Sequence, residues 1–402
     1  MYATYHLFLD RNLCMNILPE IDKISNELTN IFKDLHMHPE LGFEEVRTSK
    51  IVKEKLQDYG VDEIHTEIGK TGVVAVINGK QQGGNQIGLR ADMDALPIEE
   101  TTNLNYASKN PGKMHACGHD GHTTMLLGAA KHLCETRNFK GKAVLIFQPA
   151  EEGMGGARLM LEEGLFQKFP CSEIFGIHNS PNGKHSEISI CKGKAMAGAS
   201  FFDIKINAKG SHAAMPHQSI DPIIICSNLI DQMQAIVSRN TPPLESVVLS
   251  ITQIHSGSAY NVIPEEAKLC GTIRYFSEEV YALVEERVKA ICKGLETAYN
   301  VEVIPDLRNT FDVLNNDDQL SDFYMDAAEE IVGRENIIRD AEPATGSEDF
   351  ADMLKHVKGA YCRIGHRGTQ PLHSPKFILD PEIIPVGASV LARLVEKQLP
   401  TD

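Results

Sequence analysis

Between Met114 and His122 the chain reads MHACGHDGH, which places one cysteine and three histidines within nine residues. Thiolate and imidazole hold divalent transition metals best, and a short loop containing glycine lets alternate residues turn toward one ion. Taken alone, a Cys-x-His pair such as Cys117 and His119 suits a helix-capping turn as well as a metal site. Other segments carry the same chemistry. Glu151 and Glu152 are adjacent, His178 follows an apolar run, and His373 lies in Pro371-Leu372-His373-Ser374-Pro375. One thiolate, three imidazoles and one carboxylate would make a site for Zn, Mn, Ni or Co, as one ion or a pair. Adjacent acids suit a division of labour in which one coordinates and its neighbour takes a proton from an activated water. The plainer alternatives are a helix cap, for a helix starting near residue 153, and a hydrogen-bonded strand end at His178.

What must position these groups is legible as alternating pattern. Residues 16–56 read as helical, with Ile17, Leu18, Ile21, Ile24 and Leu28 at three- and four-residue steps. Apolar runs at 72–77, 87–90, 143–147 and 173–177 read as strands buried on both faces. Helical patterns at 121–134 and 155–163 fall between them, so the expected core is α/β with a mostly parallel sheet flanked by helices. The polar candidates follow these strands directly: Asp92 and Asp94 after one, Glu151 and Glu152 after the next, His178 after a third. Ligands of open α/β sheets bind at the carboxyl ends of the strands, which argues for one shared site.

Near residue 195 the period changes. Phe202, Ile204 and Ile206 alternate with polar neighbours, a helix is expected at 221–239 behind the N-cap Asp221, strands at 246–254 and 266–276, and a helix at 278–297. This is the pattern of a smaller α+β domain with an antiparallel sheet. The expected division is 16–196 with 308–402 for the main domain and 197–307 for the satellite. A strand at 359–365 and a helix at 381–399 return the chain to the first domain.

Composition narrows the partners. With 39 Lys and Arg against 55 Asp and Glu, the net charge of −16 argues against nucleic acid or an anionic membrane surface, and it suits bound cations. Nine cysteines without framework spacing read as reduced, mostly buried thiols of a cytoplasmic protein. No apolar run reaches spanning length, and the first residues, MYATYHLFLDRNLCMN, lack the features of a leader; they read as a disordered extension or as an over-long start, with Met15 the natural beginning.

The segments LHMHPELGFEE, LRADMDALPIEE, MHACGHDGHTTMLLGAA, FQPAEEGMGGARLMLEEG, GIHN, KGSHAAMPH, NVIPEEA, GTIRYF and GSEDFADM resemble, in order from about residue 30 to 395, the metal-dependent aminoacylase/carboxypeptidase family. The branch it is most similar to holds hippurate hydrolases, auxin-conjugate amidohydrolases and N-acetyldiaminopimelate deacetylases. The resemblance implies a catalytic domain interrupted by a satellite dimerisation or lid domain. It implies Cys117, His119, Glu152, His178 and His373 as metal ligands, Glu151 as general base and Asp94 as the carboxylate orienting a ligand. His212 would then serve the oxyanion, and Asn261 and Arg274 the substrate carbonyl or carboxylate. The implied substrate is a small N-acyl amino acid, with short peptides as the alternative, and the implied assembly is a homodimer. In the wider family a metal-binding His commonly stands at the place of Asp92, which leaves the role of Asp92 open.

Overall fold

The computed structural model describes residues 15–402; the expectations on Cys14 and on residues 1–14 lie outside the described residues. Two compact units form, one of residues up to 193 with 316–342 and 353–402, the other of 194–315 with 343–352. The second unit thus extends past residue 307 because the strand Glu302–Phe311 pairs along Gly198–Asn207. It also takes in the later segment 343–352, where Ala197 N–H donates to Ala344 O and Gly346 O, both at 3.1 Å.

The first unit is built on an eight-stranded sheet in the order Glu63–Ile68, Gly72–Asn78, Lys140–Gln148, Gln81–Asp92, Glu173–Ser180, Gly359–Gly365, Ile188–Ser189, Ile337–Ile338. The four strands from Lys140–Gln148 to Gly359–Gly365 run parallel, their outer neighbours pair antiparallel to them, and the edge strand Ile337–Ile338 pairs parallel with Ile188–Ser189. Their continuous apolar runs are buried on both faces: Ala143 to Phe147 are all at 0% exposure. The edge strand Glu63–Ile68 carried no apolar run and escaped the sequence pattern; its residues alternate between exposed and half-buried.

The expected helical stretch 16–56 is three helices, Pro19–Lys23, Ser25–Met37 and Val46–Tyr59. Pro39 denies helical backbone to the residue before it, which stops the second helix at Met37. The third takes its cap from outside: both Glu40 carboxylate oxygens accept, from Arg47 N at 3.0 Å and Thr48 N at 2.8 Å. The helix His119–Thr136 is buried nearly all round, so its sequence lacks a polar face and its amphipathic signal is weak. Gly128 in it faces Ala388 and Leu28, where an added Cβ would meet carbon at 2.8 and 3.0 Å.

The second unit carries a four-stranded antiparallel sheet ordered Val247–Ser256, Glu266–Tyr275, Gly198–Asn207, Glu302–Phe311. Helices Pro222–Ala235 and Glu278–Tyr299 pack on it through Ile225, Leu229, Met233, Val284, Val288 and Ile291. Asp221 caps the first of these, accepting from Ile223 N at 2.9 Å. Among the described residues eight cysteines are free thiols, and no helix is long and apolar enough to cross a membrane.

One buried ion pair ties the first unit's helices together. His36, at 2% exposure near the end of Ser25–Met37, donates from Nδ1 to Asp120 Oδ2 at 2.7 Å and lies 3.5 Å from Glu100 Oε1. Burial alone would depress its pKa, but Asp120 and Glu100 overcome this and hold it up to about 9. A raised histidine stabilises fully below its unfolded value near 6.5, and the stabilisation is lost as pH climbs toward 9. The shift corresponds to about 3 kcal/mol. Urea unfolding between pH 6.5 and 9.5 is therefore expected to show a loss of stability of that order that His36→Gln lacks; parallel pH profiles for the two proteins would refute it.

Candidate metal centre

The carboxyl ends of the parallel strands and the amino end of His119–Thr136 bring the predicted acids, imidazoles and thiol to one place. Three overlapping triads have donor atoms within 4.8 Å of one another: Cys117, His119 and His178; Cys117, Glu152 and His373; and His119, Glu151 and Glu152. All six residues therefore belong to one cluster. Cys117 Sγ is 3.4 Å from His178 Nε2, His373 Nε2 is 3.2 Å from Glu152 Oε1, and His119 Nε2 is 3.9 Å from the same oxygen.

Two of these atoms are poorly matched. Among the described residues, buried His119 Nε2 makes no hydrogen bond of good geometry, and buried Glu152 Oε1 has only His373 Nε2 beside it, at 3.2 Å. Leaving a buried polar atom unmatched costs about 1–3 kcal/mol, and a charged one more. A divalent cation bound among thiolate, imidazole and carboxylate would satisfy both, so the donor set fits a transition-metal ion. The charges tell the same story. Hydrogen bonds that His373 donates to Cys117 and Glu152 push it up to about 10, while burial, then Glu152, pushes the Cys117 thiol up. His119 is held well above its ordinary value: burial opposes this, and Asp92 and Cys117 prevail.

A surrounding layer aims the donors. Asp94 accepts from His119 Nδ1 at 3.0 Å and from Glu152 N at 3.0 Å, which turns Nε2 of the imidazole toward the cluster. His178 Nδ1 donates to Asn179 O at 2.7 Å, leaving its Nε2 toward Cys117. Asn179 Nδ2 donates to Cys117 O at 2.5 Å, and His373 N to Ala116 O at 2.8 Å. Two backbones here are left-handed without being glycine, Ala150 at φ 53° and His373 at φ 64°. Such conformations cost roughly 1–3 kcal/mol each and collect where function demands them.

Asp92 is engaged elsewhere. Its carboxylate accepts from Arg90 Nη1 and from His122 Nδ1, each at 2.7 Å, and these three are buried. Burial would raise it, but His119, His122 and Arg90 hold it well below the carboxylate range. His122 in turn accepts from Asn179 N at 2.9 Å through Nε2, so both its ring nitrogens are occupied. Asp92 and His122 therefore buttress the loop. The pairing could not be found from sequence, because His122 stands thirty residues from Asp92 with no shared motif. Nor do Glu151 and Glu152 cap a helix: the next one, Gly156–Glu162, starts behind Gly155 without a side-chain cap.

The remaining predicted residues lie in the second unit. His212 and Asn261 come together on the short ribbon of Ser211–His212 and Val262–Ile263, where Ala213 N donates to Asn261 O at 2.9 Å. Ala214 N–H donates to His212 Nδ1 at 3.1 Å, so the ring proton sits on the exposed Nε2. Arg274 stands on Glu266–Tyr275, half-buried, its guanidinium 5.7 Å from the Phe201 ring centroid and its Nη1 3.2 Å from Ile273 O. Among the described residues it has no carboxylate partner, and burial lowers its pKa.

Known proteins resemble this chain in sequence and fold. The model of peptidase family M20/M25/M40 matches residues 88–397. The chain belongs to that family. It is 42% identical over 385 residues to a hippurate hydrolase of Campylobacter jejuni, covering 96% of this chain and 100% of the relative. It is 39% identical over 376 residues to an N-acetylcysteine deacetylase of Bacillus subtilis, covering 91% and 95%. Among solved structures it is similar to a dinuclear metal-binding peptidase of the M20 family from Bacillus subtilis, with a TM-score of 0.79, 36% identity and coverage of 94% and 99%. Family members such as the first two cleave amide bonds, and this chain is accordingly a hydrolase.

Gly118 is the residue on which the loop turns. Its φ is +91°, and an added Cβ would lie 2.4 Å from Asn179 Nδ2, the amide that holds Cys117 O. Gly118→Ala should lower unfolding free energy by about 1–3 kcal/mol and weaken metal retention together. Denaturant unfolding paired with metal analysis after gel filtration checks this; unchanged metal content would count against the loop geometry.

Proposed function

We propose that the protein is a metal-dependent amidohydrolase that cleaves the amide bond of N-acyl-L-amino acids to a carboxylate and a free amino acid. The observation that carries this is the convergence of Cys117, His119, Glu152, His178 and His373, with buried, poorly matched donor atoms, beside a second carboxylate, Glu151. The reading assigns the first five residues as ligands of one or two ions drawn from Mn, Zn, Ni or Co. A bound ion of this kind supplies Lewis acidity, which lowers the pKa of water and polarises the amide carbonyl. Glu151 takes the proton from water as it attacks the carbonyl carbon, then delivers it to the leaving nitrogen. Asp94 keeps His119 and the Glu152 backbone in register during this transfer.

His212 is proposed as donor to the developing oxyanion, which its tautomer supports, since Nε2 carries the proton. Asn261 is proposed to bind the substrate carbonyl. Arg274 is proposed to bind the amino acid's carboxylate: a half-buried guanidinium without an acidic partner, in a chain of net charge −16, is suited to an anion brought by the substrate. Hippurate and N-acetylcysteine, in the names of the two relatives, are both acylated amino acids and support this substrate class. The second unit is proposed as a dimerisation or lid domain, and the protein as a cytoplasmic homodimer.

Amine release is the direct test, using chelator-stripped protein reloaded with manganese, zinc, nickel or cobalt. N-acetyl and N-benzoyl amino acids should be hydrolysed only after reloading. Cleavage of dipeptides alone would shift the assignment to a carboxypeptidase. Glu151→Gln should lower kcat by about 10²–10⁴-fold while metal content stays at the wild-type level. Loss of metal with activity would move Glu151 among the ligands.

A further inference from the structure

The segment LHMHPELGFEE has no chemistry attached to it by the site described above, yet it supplies a carboxylate beside the acid pair. Glu45 is 0% exposed. It begins the helix Val46–Tyr59 but makes no side-chain cap there, since Glu40 serves that end. Instead Oε1 accepts from Ala150 N at 2.8 Å and Oε2 accepts from the Thr71 hydroxyl at 2.5 Å. Ala150, at φ 53°, immediately precedes Glu151 and Glu152. An alanine is not expected in that conformation unless its surroundings impose it.

The surroundings do so from several sides. Ala150 O accepts from Gly156 N at 3.0 Å, closing the turn that carries both acids. A Cβ on Gly42 would lie 3.0 Å from Ala150 Cβ, so this segment packs directly on the turn. Within that packing the Glu45 carboxyl group alone grips the Ala150 amide. Burial pushes this carboxyl up to about 7, so a neutral group of the same shape, which still accepts a hydrogen bond, should serve nearly as well.

We propose that Glu45 is a positioning residue for the acid pair: by holding the Ala150 N–H it keeps the left-handed turn from which Glu151 and Glu152 join the metal cluster. The proposal rests on the metal-hydrolase reading of that cluster. It assigns Glu45 no contact with substrate and no part in proton transfer.

The test compares full-length Glu45→Leu, Glu45→Gln and the double variant Glu45→Leu/Ala150→Gly for kcat, KM, metal affinity by chelator competition, and thermal unfolding. Glu45→Leu should lose about 10–100-fold in kcat or metal affinity, with KM within about threefold of wild type. Glu45→Gln should stay within about threefold of wild type in all of them, because its amide oxygen replaces the acceptor. Glycine takes positive φ without penalty, so the double variant should recover part of the loss. A folded Glu45→Leu with wild-type kcat and metal affinity would overturn the proposal, as would a Glu45→Gln variant as impaired as Glu45→Leu, or no recovery in the double variant. Should Glu45→Leu not fold, Thr71→Val, which removes the other partner of the carboxyl group, should show the same losses in weaker form; wild-type kcat and metal affinity there would likewise overturn it. Metal affinity is read without substrate. A wild type that binds metal but hydrolyses no amide would therefore sink the substrate reading while leaving Glu45 under test, and one that binds no metal would sink the cluster reading itself.

Discussion

Water is kept from Cys117, His119 and Glu151, side chains that would each be costly to bury alone, while His373 at the edge of the cluster stays open to solvent. A thiol, imidazoles and carboxylates meet where parallel strands end, and among the described residues buried His119 Nε2 has no hydrogen bond of good geometry to offset its lost hydration. Removing solvent strengthens every interaction among them and penalises any charge left unmatched. The arrangement is consistent only if positive charge enters, as protons on His119 and His373 or as a cation held by the cluster. Much else in the first unit follows from that requirement. The outer groups Asp94, Asn179, Asp92 and His122 spend their hydrogen bonds aiming or bracing the inner ones, and none adds an unmatched charge of its own.

The scaffold meets this demand with rigid elements and a few unusual backbones. Strands buried on both faces and a helix buried nearly all round place the ends of four chain segments within ångströms of each other. Between those ends the loops must turn sharply, and Gly118, Ala150 and His373 do so in left-handed conformations. Only the first of these is a glycine. The alanine and the histidine depend on tertiary contacts, and the hydrogen bonds from Ala150 to Glu45 and from His373 to Ala116 identify them.

In the second unit the chemistry is of a different kind. Among the described residues His212 and Arg274 have no anionic partner; they stand on an antiparallel scaffold, one with its tautomer set by a neighbouring amide, the other lying over an aromatic ring. Such groups are suited to recognising an anion or a developing negative charge. Membership of the family accounts for hydrolysis of an amide bond. Choice of acyl group and amino acid belongs to contacts that a shared fold leaves free to vary.

Strand runs, the Cys-x-His loop, the adjacent acids and the change of period near 195 were all legible in the chain, because each is a local pattern of residue type. Position along the strands also foretold that Asp94, Glu151, Glu152 and His178 would gather, since parallel strands deliver their following residues to the same edge. Other features depended on pairs distant in sequence. Asp92 could be read as a ligand or a brace until Arg90 and His122 were found to occupy its carboxylate. Glu45 carried no role in the sequence, and its burial against Ala150 comes from a contact more than a hundred residues away. The break at 38–45 and the second unit's claim on 343–352 were hidden for the same reason. Residue types and their spacing determined which chemistry this chain can perform, while three-dimensional packing alone decided which of several equivalent carboxylates and imidazoles face the cluster and which hold it in place, because a hydrogen bond has no signature in the sequence between its partners.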